Sequence, residues 1–258
     1  MRALLALWLS FVTGLAAAQV GPSAAHAAVY TGLHAAAWRG DAVAVAVEVA
    51  RADAAALDTR DSHGRTPLHV ATFSRQREAI GALAKAGAAL GALENDRYDA
   101  VTIAAVANDE ATLAVLLELG ASAGLTTSRY DGTALIAAAH LGHDGIVRQL
   151  IKAGAPLDHV NNLHWTALIE AVVLGDGGAR HQRVVRDLLA AGANAQLTDS
   201  EGRTPLALAR SRGYAAIVQQ LETASASGAA GLRRPQLHRG EQVSTLSATL
   251  PARRFRRR

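Results

Sequence analysis

The four-residue stretch Thr66-Pro67-Leu68-His69 returns along the chain as Thr204-Pro205-Leu206-Ala207, as Thr133-Ala134-Leu135-Ile136 and as Thr166-Ala167-Leu168-Ile169. Fainter copies surround Leu33-His34 and Val101-Thr102. The anchors Leu33, Leu68, Val101, Leu135, Leu168 and Leu206 lie 35, 33, 34, 33 and 38 residues apart. A fixed period of this length marks a stacked-repeat solenoid, because a unit so short buries its apolar face only against its neighbours. The expectation is one continuous stack that presents a long surface to a partner.

Residues 61–93 serve as the pattern for one unit. Asp61-Ser62-His63-Gly64-Arg65 reads as a turn, with Gly64 free to take positive φ. Thr66 is a helix N-cap and Pro67 sits at the first helical position, where its missing N–H costs nothing. Leu68, Ala71 and Thr72 share one face of a short helix. Ser74 to Arg77 turns into a second helix with Ile80 and Leu83 as its apolar stripe. Gly87 ends it, as Gly120, Gly154 and Gly192 end later units. The predicted helix starts are Thr31, Thr66, Asp99, Thr133, Thr166 and Thr204.

This grammar resembles the ankyrin repeat family. The matching residues are Gly64-x-Thr66-Pro67-Leu68-His69-x-Ala71, the run from Gly142-His143 through Ile146-Val147 and Leu150-Ile151 to Gly154-Ala155, and Gly202-x-Thr204-Pro205-Leu206. The resemblance implies an all-α ankyrin-repeat solenoid of about six helix–turn–helix units joined by β-hairpin-like turns. The units fall near 29–60, 61–93, 94–126, 127–160, 161–197 and 198–222, with the first and last as caps. It also implies partner binding on the hairpin tips and the exposed end of the first helix.

With the repeated leucine as position 8, those surfaces are positions 2, 3, 5, 13 and 14. Position 5 holds Tyr30, Arg65, Tyr98, Gly132, Trp165 and Arg203. Position 13 holds Trp38, Phe73, Val106, His140, Val173 and Ser211, and Tyr130 is at position 3. Seven aromatics lie between Tyr30 and Tyr214, and six of them fall on these positions. Exposed aromatics on a concave face are what interaction surfaces use. The expected partner-binding set is therefore Tyr30, Trp38, Arg65, Phe73, Tyr98, Tyr130, His140 and Trp165. The competing expectation is that each ring packs on the neighbouring hairpin.

The fifth unit carries five extra residues, read as a loop from Gly175 to Arg183. Insertions in solenoids map to loops, often on the binding side. Glu170 stands where other units have Val70, Ile103, Ala137 and Leu208, and is expected to meet Arg180 or His181. Glu170, Asp176, Arg180 and His181 form a candidate loop site. The alternative function is a small-ligand or anion binder built on that loop, with His140 as a further wall.

Catalytic chemistry finds little support. No phosphate loop is present, and Gly175-Asp176-Gly177-Gly178 lacks a lysine and follows no strand. His140 and His143 are spaced for one helix face, but Gly142 breaks the helix between them. No metal or cofactor is expected.

The N-terminus reads as a secretory leader: Arg2, an apolar run from Ala3 to Ala17, and a small-residue cut after Ala18, with a second possible cut after Ala27. The expectation is export to a bacterial periplasm. Zero cysteine excludes a lipoprotein and disulfides. The net charge of +4 misleads. Eight arginines and Glu241 in residues 233–258 give that tail +7; removing it and Arg2 leaves the body at −4. The high pI belongs to a basic tail, expected to be disordered from residue 223, so it argues no nucleic-acid role for the folded part. The predicted product is a monomeric, non-catalytic scaffold for a protein partner.

Overall fold

The computed structural model describes residues 21–51 and 54–231. The stretch 1–18 expected to be a leader and the arginine-rich tail lie outside the described residues. Among these residues are thirteen α-helices and no strand. Helix α1 (Ala24–Ala28) precedes six pairs: α2 (Gly32–Arg39) with α3 (Ala42–Arg51), α4 (Pro67–Phe73) with α5 (Arg77–Lys85), α6 (Ala100–Val106) with α7 (Glu110–Glu118), α8 (Ala134–His140) with α9 (Asp144–Lys152), α10 (Ala167–Val173) with α11 (Ala179–Ala190), and α12 (Pro205–Ser211) with α13 (Ala215–Gly231). First helices stack on first helices and second on second along the whole array. This is the solenoid that the period predicts, all-α as the resemblance implies. Helix α13 runs on to Gly231, past residue 222, because its Ala-rich sequence continues to favour helix.

The helix starts work as their residue types dictate. Asp99, Thr133, Thr166 and Thr204 each accept the backbone N–H three residues on, at 2.8 to 3.3 Å. Such a cap contributes about 1 kcal/mol. Thr31, in the first unit, makes no side-chain cap bond. At the far ends Gly87, Gly120, Gly154 and Gly192 take φ between 80° and 98°, and the next residue's N–H reaches back to the helix.

The repeated leucine is the centre of each unit's burial. Leu68, Leu135 and Leu168 are fully buried, with Leu83, Leu116, Leu150 and Leu188 from the second helices. Ala71, Ala105, Ala139 and Ala171 have no exposed surface, which lets neighbouring first helices approach closely. Leu206 is only partly buried, as expected of a unit with no successor on one side. On the second-helix side Asp144 bonds Arg183 at 2.8 Å and Arg148 at 2.9 Å, and Arg148 reaches Asp187 at 3.3 Å. The Arg183 guanidinium, then Arg148, holds the Asp144 carboxyl at about 2.

Adjacent units are also stitched through their turns. Within each turn a backbone N–H pairs with the carbonyl four or five residues on, as in Asp61 to Arg65 at 3.0 Å and Asn161 to Trp165 at 3.0 Å. Between turns, Asn95 N–H donates to His63, Ser128 to Arg97 and Asn162 to Tyr130, at 2.9 to 3.0 Å. Position 9 adds a side-chain rung. His34 Nε2 donates to the Arg65 carbonyl at 2.9 Å, and His69 Nε2 to the Tyr98 carbonyl at 3.1 Å.

His69 is pinned as one tautomer. The Thr66 backbone N–H donates to its Nδ1 at 3.1 Å, so Nδ1 is the acceptor and Nε2 carries the hydrogen. Burial pushes the imidazole down from its ordinary value of 6.5 to about 4, opposed by its bond to Tyr98. The unfolded chain therefore binds this proton more readily, and the stability contributed by neutral His69 is full above pH 6.5 and lost as pH falls toward 4. Between pH 7 and pH 4.5, urea unfolding should lose about 2 kcal/mol more in the wild type than in His69→Gln. Equal losses would assign the pH dependence to other groups.

Candidate functional site

The concave face is built from the turns and the first helices. A polar side chain at the start of each turn braces it. Asp61, Asn161 and Asp199 each accept two turn N–H groups through Oδ1. Ser128 does the same through Oγ. The turns are thus rigid, and position 5 points consistently along the array.

Rigid placement did not leave the aromatics exposed. Tyr98 is 5% exposed and Arg65 6% exposed, so neither is a free surface anchor. The backbone carbonyl of each is bonded by a histidine of the preceding unit, His34 for Arg65 and His69 for Tyr98. Tyr98 offers its carbonyl to His69, and burial raises its phenol. The Arg65 guanidinium lies 5.2 Å over the Phe73 ring. Tyr30 donates its hydroxyl to Asp61 at 2.8 Å, and burial followed by that contact pushes it up to about 12. Trp38 and Trp165 are half-buried against the core. Phe73 is partly covered from ahead of the first unit, where a Cβ on Gly21 would sit 3.0 Å from its ring. Tyr30, Arg65 and Tyr98 of the predicted set therefore join one unit to the next.

Tyr130 and His140 belong to a different environment. Units three to five surround a cavity of about 170 Å3 that opens on the concave face. Its walls include Tyr98 and Val106 of unit three, Tyr130 and Ile136 of unit four, and Leu163 and Leu174 of unit five. His140, Asn161 and Glu170 supply polar groups. The cavity exists because unit four is small at two facing positions. Gly132 stands at position 5, where other units have Tyr, Arg or Trp, and Ala137 stands at position 10, where units two, three, five and six have Val70, Ile103, Glu170 and Leu208 and the first unit has Ala35. The backbone does not demand that glycine: an added Cβ would make only ordinary contacts with Ser128 at 3.5 Å and Ile136 at 3.8 Å. Both small residues are visible in the aligned units. Neither announces a cavity by itself, because the void forms only where the two meet the walls of units three and five.

Glu170 does not meet Arg180 or His181. Its Oε1 accepts from Asn161 Nδ2 at 3.0 Å and its Oε2 from His140 Nδ1 at 3.2 Å. The inserted step is also less of a loop than its length implies. Helix α11 begins at Ala179 and is twelve residues long, against nine in α9, so Arg180 to Arg183 are helical. Ala-Arg-His-Gln-Arg are residues that accept helix readily, and Gly178 is the N-cap. The remaining turn closes on itself. Asp176 Oδ1 accepts the Gly178 N–H at 2.8 Å and pairs with His181 Nδ1 at 2.8 Å. Tyr214 donates its hydroxyl to the Gly175 carbonyl at 2.9 Å.

His181 Nε2 reaches the His140 carbonyl at 3.0 Å, in space left by Gly142. Its two nitrogens thus face a carboxylate and a carbonyl, and both bonds form together when the ring is protonated. The Gly178 N–H, then His181, holds the exposed Asp176 carboxyl below its usual range. His140 consequently joins two clusters, through its ring to Glu170 and through its carbonyl to His181. Of the five residues a loop-based ligand site would need, His140 and Glu170 line the cavity, whereas Asp176, Arg180 and His181 do not.

Among the described residues, no group of three His, Asp or Glu side chains is placed to hold a metal ion. His143 turns its Nδ1 to the Ala105 carbonyl at 3.0 Å, tying unit four to unit three. No helix among these residues is long and apolar enough to cross a membrane.

The comparisons with known proteins agree with this architecture. A family profile described as ankyrin repeats (3 copies) matches residues 101–194. The chain is 34% identical over 171 residues to the putative ankyrin repeat protein YahD of Escherichia coli (strain K12), covering 66% of this chain and 85% of that protein. It is similar to the crystal structure of an ankyrin repeat domain from Acinetobacter baumannii AYE, with a TM-score of 0.70, 41% identity, and coverage of 75% and 97% of the two chains. The ankyrin repeat domain of Bcl-3 superposes with a TM-score of 0.68 at 28% identity, covering 76% and 86%. With six in-register helix pairs, stitched turns and these relatives together, the chain belongs to the ankyrin repeat family.

Proposed function

We propose that this chain is a non-catalytic, exported scaffold or adaptor that binds a partner protein along its concave face, across units three to five. Ankyrin repeats are generally protein–protein interaction modules. The observation that carries the finer reading is the open cavity between Tyr98, Tyr130 and Leu163. At the start of the array the chain's own Gly21 already lies against Phe73, which favours a stretch of groove further along. The rigid turns favour binding without large rearrangement. The internally bonded Asp176–His181 step supports an ordering role for the insertion over a loop-based ligand site.

A photo-crosslinking amino acid at position 163, in the groove, should yield discrete adducts in the intact host cell. One at Val47, exposed on α3, should not. Adducts shared by both positions, or none from the groove, would remove this reading.

Export to the periplasm rests on the leader, and cleavage after Ala18 is supported by the folded contacts of residues 23–28. Ser23 accepts the His26 N–H at 3.2 Å to cap α1, and the His26 ring meets His63 at 4.8 Å. A cut after Ala27 would sever α1 (Ala24–Ala28). Mass spectrometry of protein from the periplasmic fraction should find Gln19 as the first residue. An uncleaved chain in the cytosol would overturn the export proposal.

A further inference from the structure

We propose that the cavity between units three and five is a receptor for a single basic side chain, lysine or arginine, presented by the partner protein that crosses the groove. The proposal rests on the protein-binding reading and adds the chemistry of what is bound.

Glu170 is the decisive residue. It is a carboxylate with 6% side-chain exposure at the edge of a mostly apolar cavity. Stacking does not require it there, since the same position is Val70, Ile103, Ala137 or Leu208 in other units. A charge so buried is costly unless compensated. Its compensation is incomplete. A carboxylate offers about four lone-pair directions, and Asn161 and His140 use two of them. Asn161 brings no charge. His140 Nδ1 occupies one carboxylate oxygen and Asn161 Nδ2 the other. No lysine or arginine lines the cavity, and His140 is the ion-pair partner that Glu170 has among the described residues.

Shape and polarity narrow the occupant. A cavity of about 150 Å3 lined by apolar side chains takes a benzene-sized guest, so about 170 Å3 suits one side chain and not a peptide backbone. Ile136, Leu163 and Leu174 match the aliphatic stem of lysine or arginine, with the cationic tip at Glu170. An apolar guest would leave the carboxylate as it is. An acidic guest would meet like charge in a site of low dielectric. A cation alone gains from both the walls and the charge.

The direct test titrates capped pentapeptides Ala-Ala-Xaa-Ala-Ala, with lysine, norleucine or glutamate at the centre, into the full chain. Binding is read from the methyl signals of Ile136 and Leu163. Norleucine is the lysine stem without its ammonium. Lysine should bind about tenfold or more tightly than norleucine, as expected of a hydrogen bond to a charged group, and glutamate should not bind. Glu170→Gln should bring lysine down to the norleucine level and leave norleucine unchanged. Gly132→Tyr, which restores the large residue other units carry at that register, should abolish both. Its thermal unfolding checks that it folds.

Equal binding of lysine and norleucine by the wild type overturns the receptor, as does a lysine preference that survives Glu170→Gln. Groove crosslinks that persist in a chain showing no lysine preference remove the receptor but leave the protein-binding reading standing. Lysine preference with no crosslinked protein does the reverse, and removes a partner protein as the source of the side chain.

Discussion

Each helix pair in this chain has an apolar stripe that it cannot cover by itself. Leu68, Leu135 and Leu168 reach complete burial only because another unit lies on either side, whereas Leu206, near the end of the array, stays partly exposed. Nearest-neighbour burial is thus the condition on which the stack depends. It explains the alanines that let first helices approach, and the near-constant spacing of the anchors. It also explains why an insertion is tolerated only between helices, where it lengthens α11 without altering the stacked faces.

Hydrogen bonds convert that stacking into a fixed register. The turn-to-turn bonds and the rungs from His34 and His69 each join one unit to the next, so a unit cannot slide or rotate alone. The aromatic and arginine row at position 5 serves the same end. Tyr30 buries an apolar body and donates its hydroxyl to Asp61 across the unit boundary, while Arg65 and Tyr98 offer their backbone carbonyls to His34 and His69 of the preceding unit. A side chain that looks like an anchor when counted along one unit becomes mortar when two units are present.

A row of large side chains at position 5 would fill the groove, and its interruption at Gly132 opens it. Ala137 deepens the gap and Glu170 brings charge to it from the next unit. His140 couples this cavity to the inserted step, since its carbonyl receives His181 while its ring receives Glu170. The insertion therefore acts on the groove through position, by steadying the end of α8, and contributes none of its own side chains to the cavity wall.

The architecture was legible in the sequence. Helix starts at Asp99, Thr133, Thr166 and Thr204, helix ends at Gly87 and Gly154, and the buried leucines all arise from local chemistry repeated at one period. The same ruler identified His140 and Tyr130 as residues of the concave face. It misassigned Tyr98 and Arg65 as exposed, paired Glu170 with the wrong partners, and extended the loop through Arg183. Those questions turn on which atoms of separate units come within a few ångströms of each other, and a position number says only which face a residue is on. The sequence by itself determined what every unit must do, because capping, turning and burial are properties of residues near in the chain. Only the tertiary structure decided where the stack is left unfilled, because a cavity is set by side chains absent from one unit and present in its two neighbours.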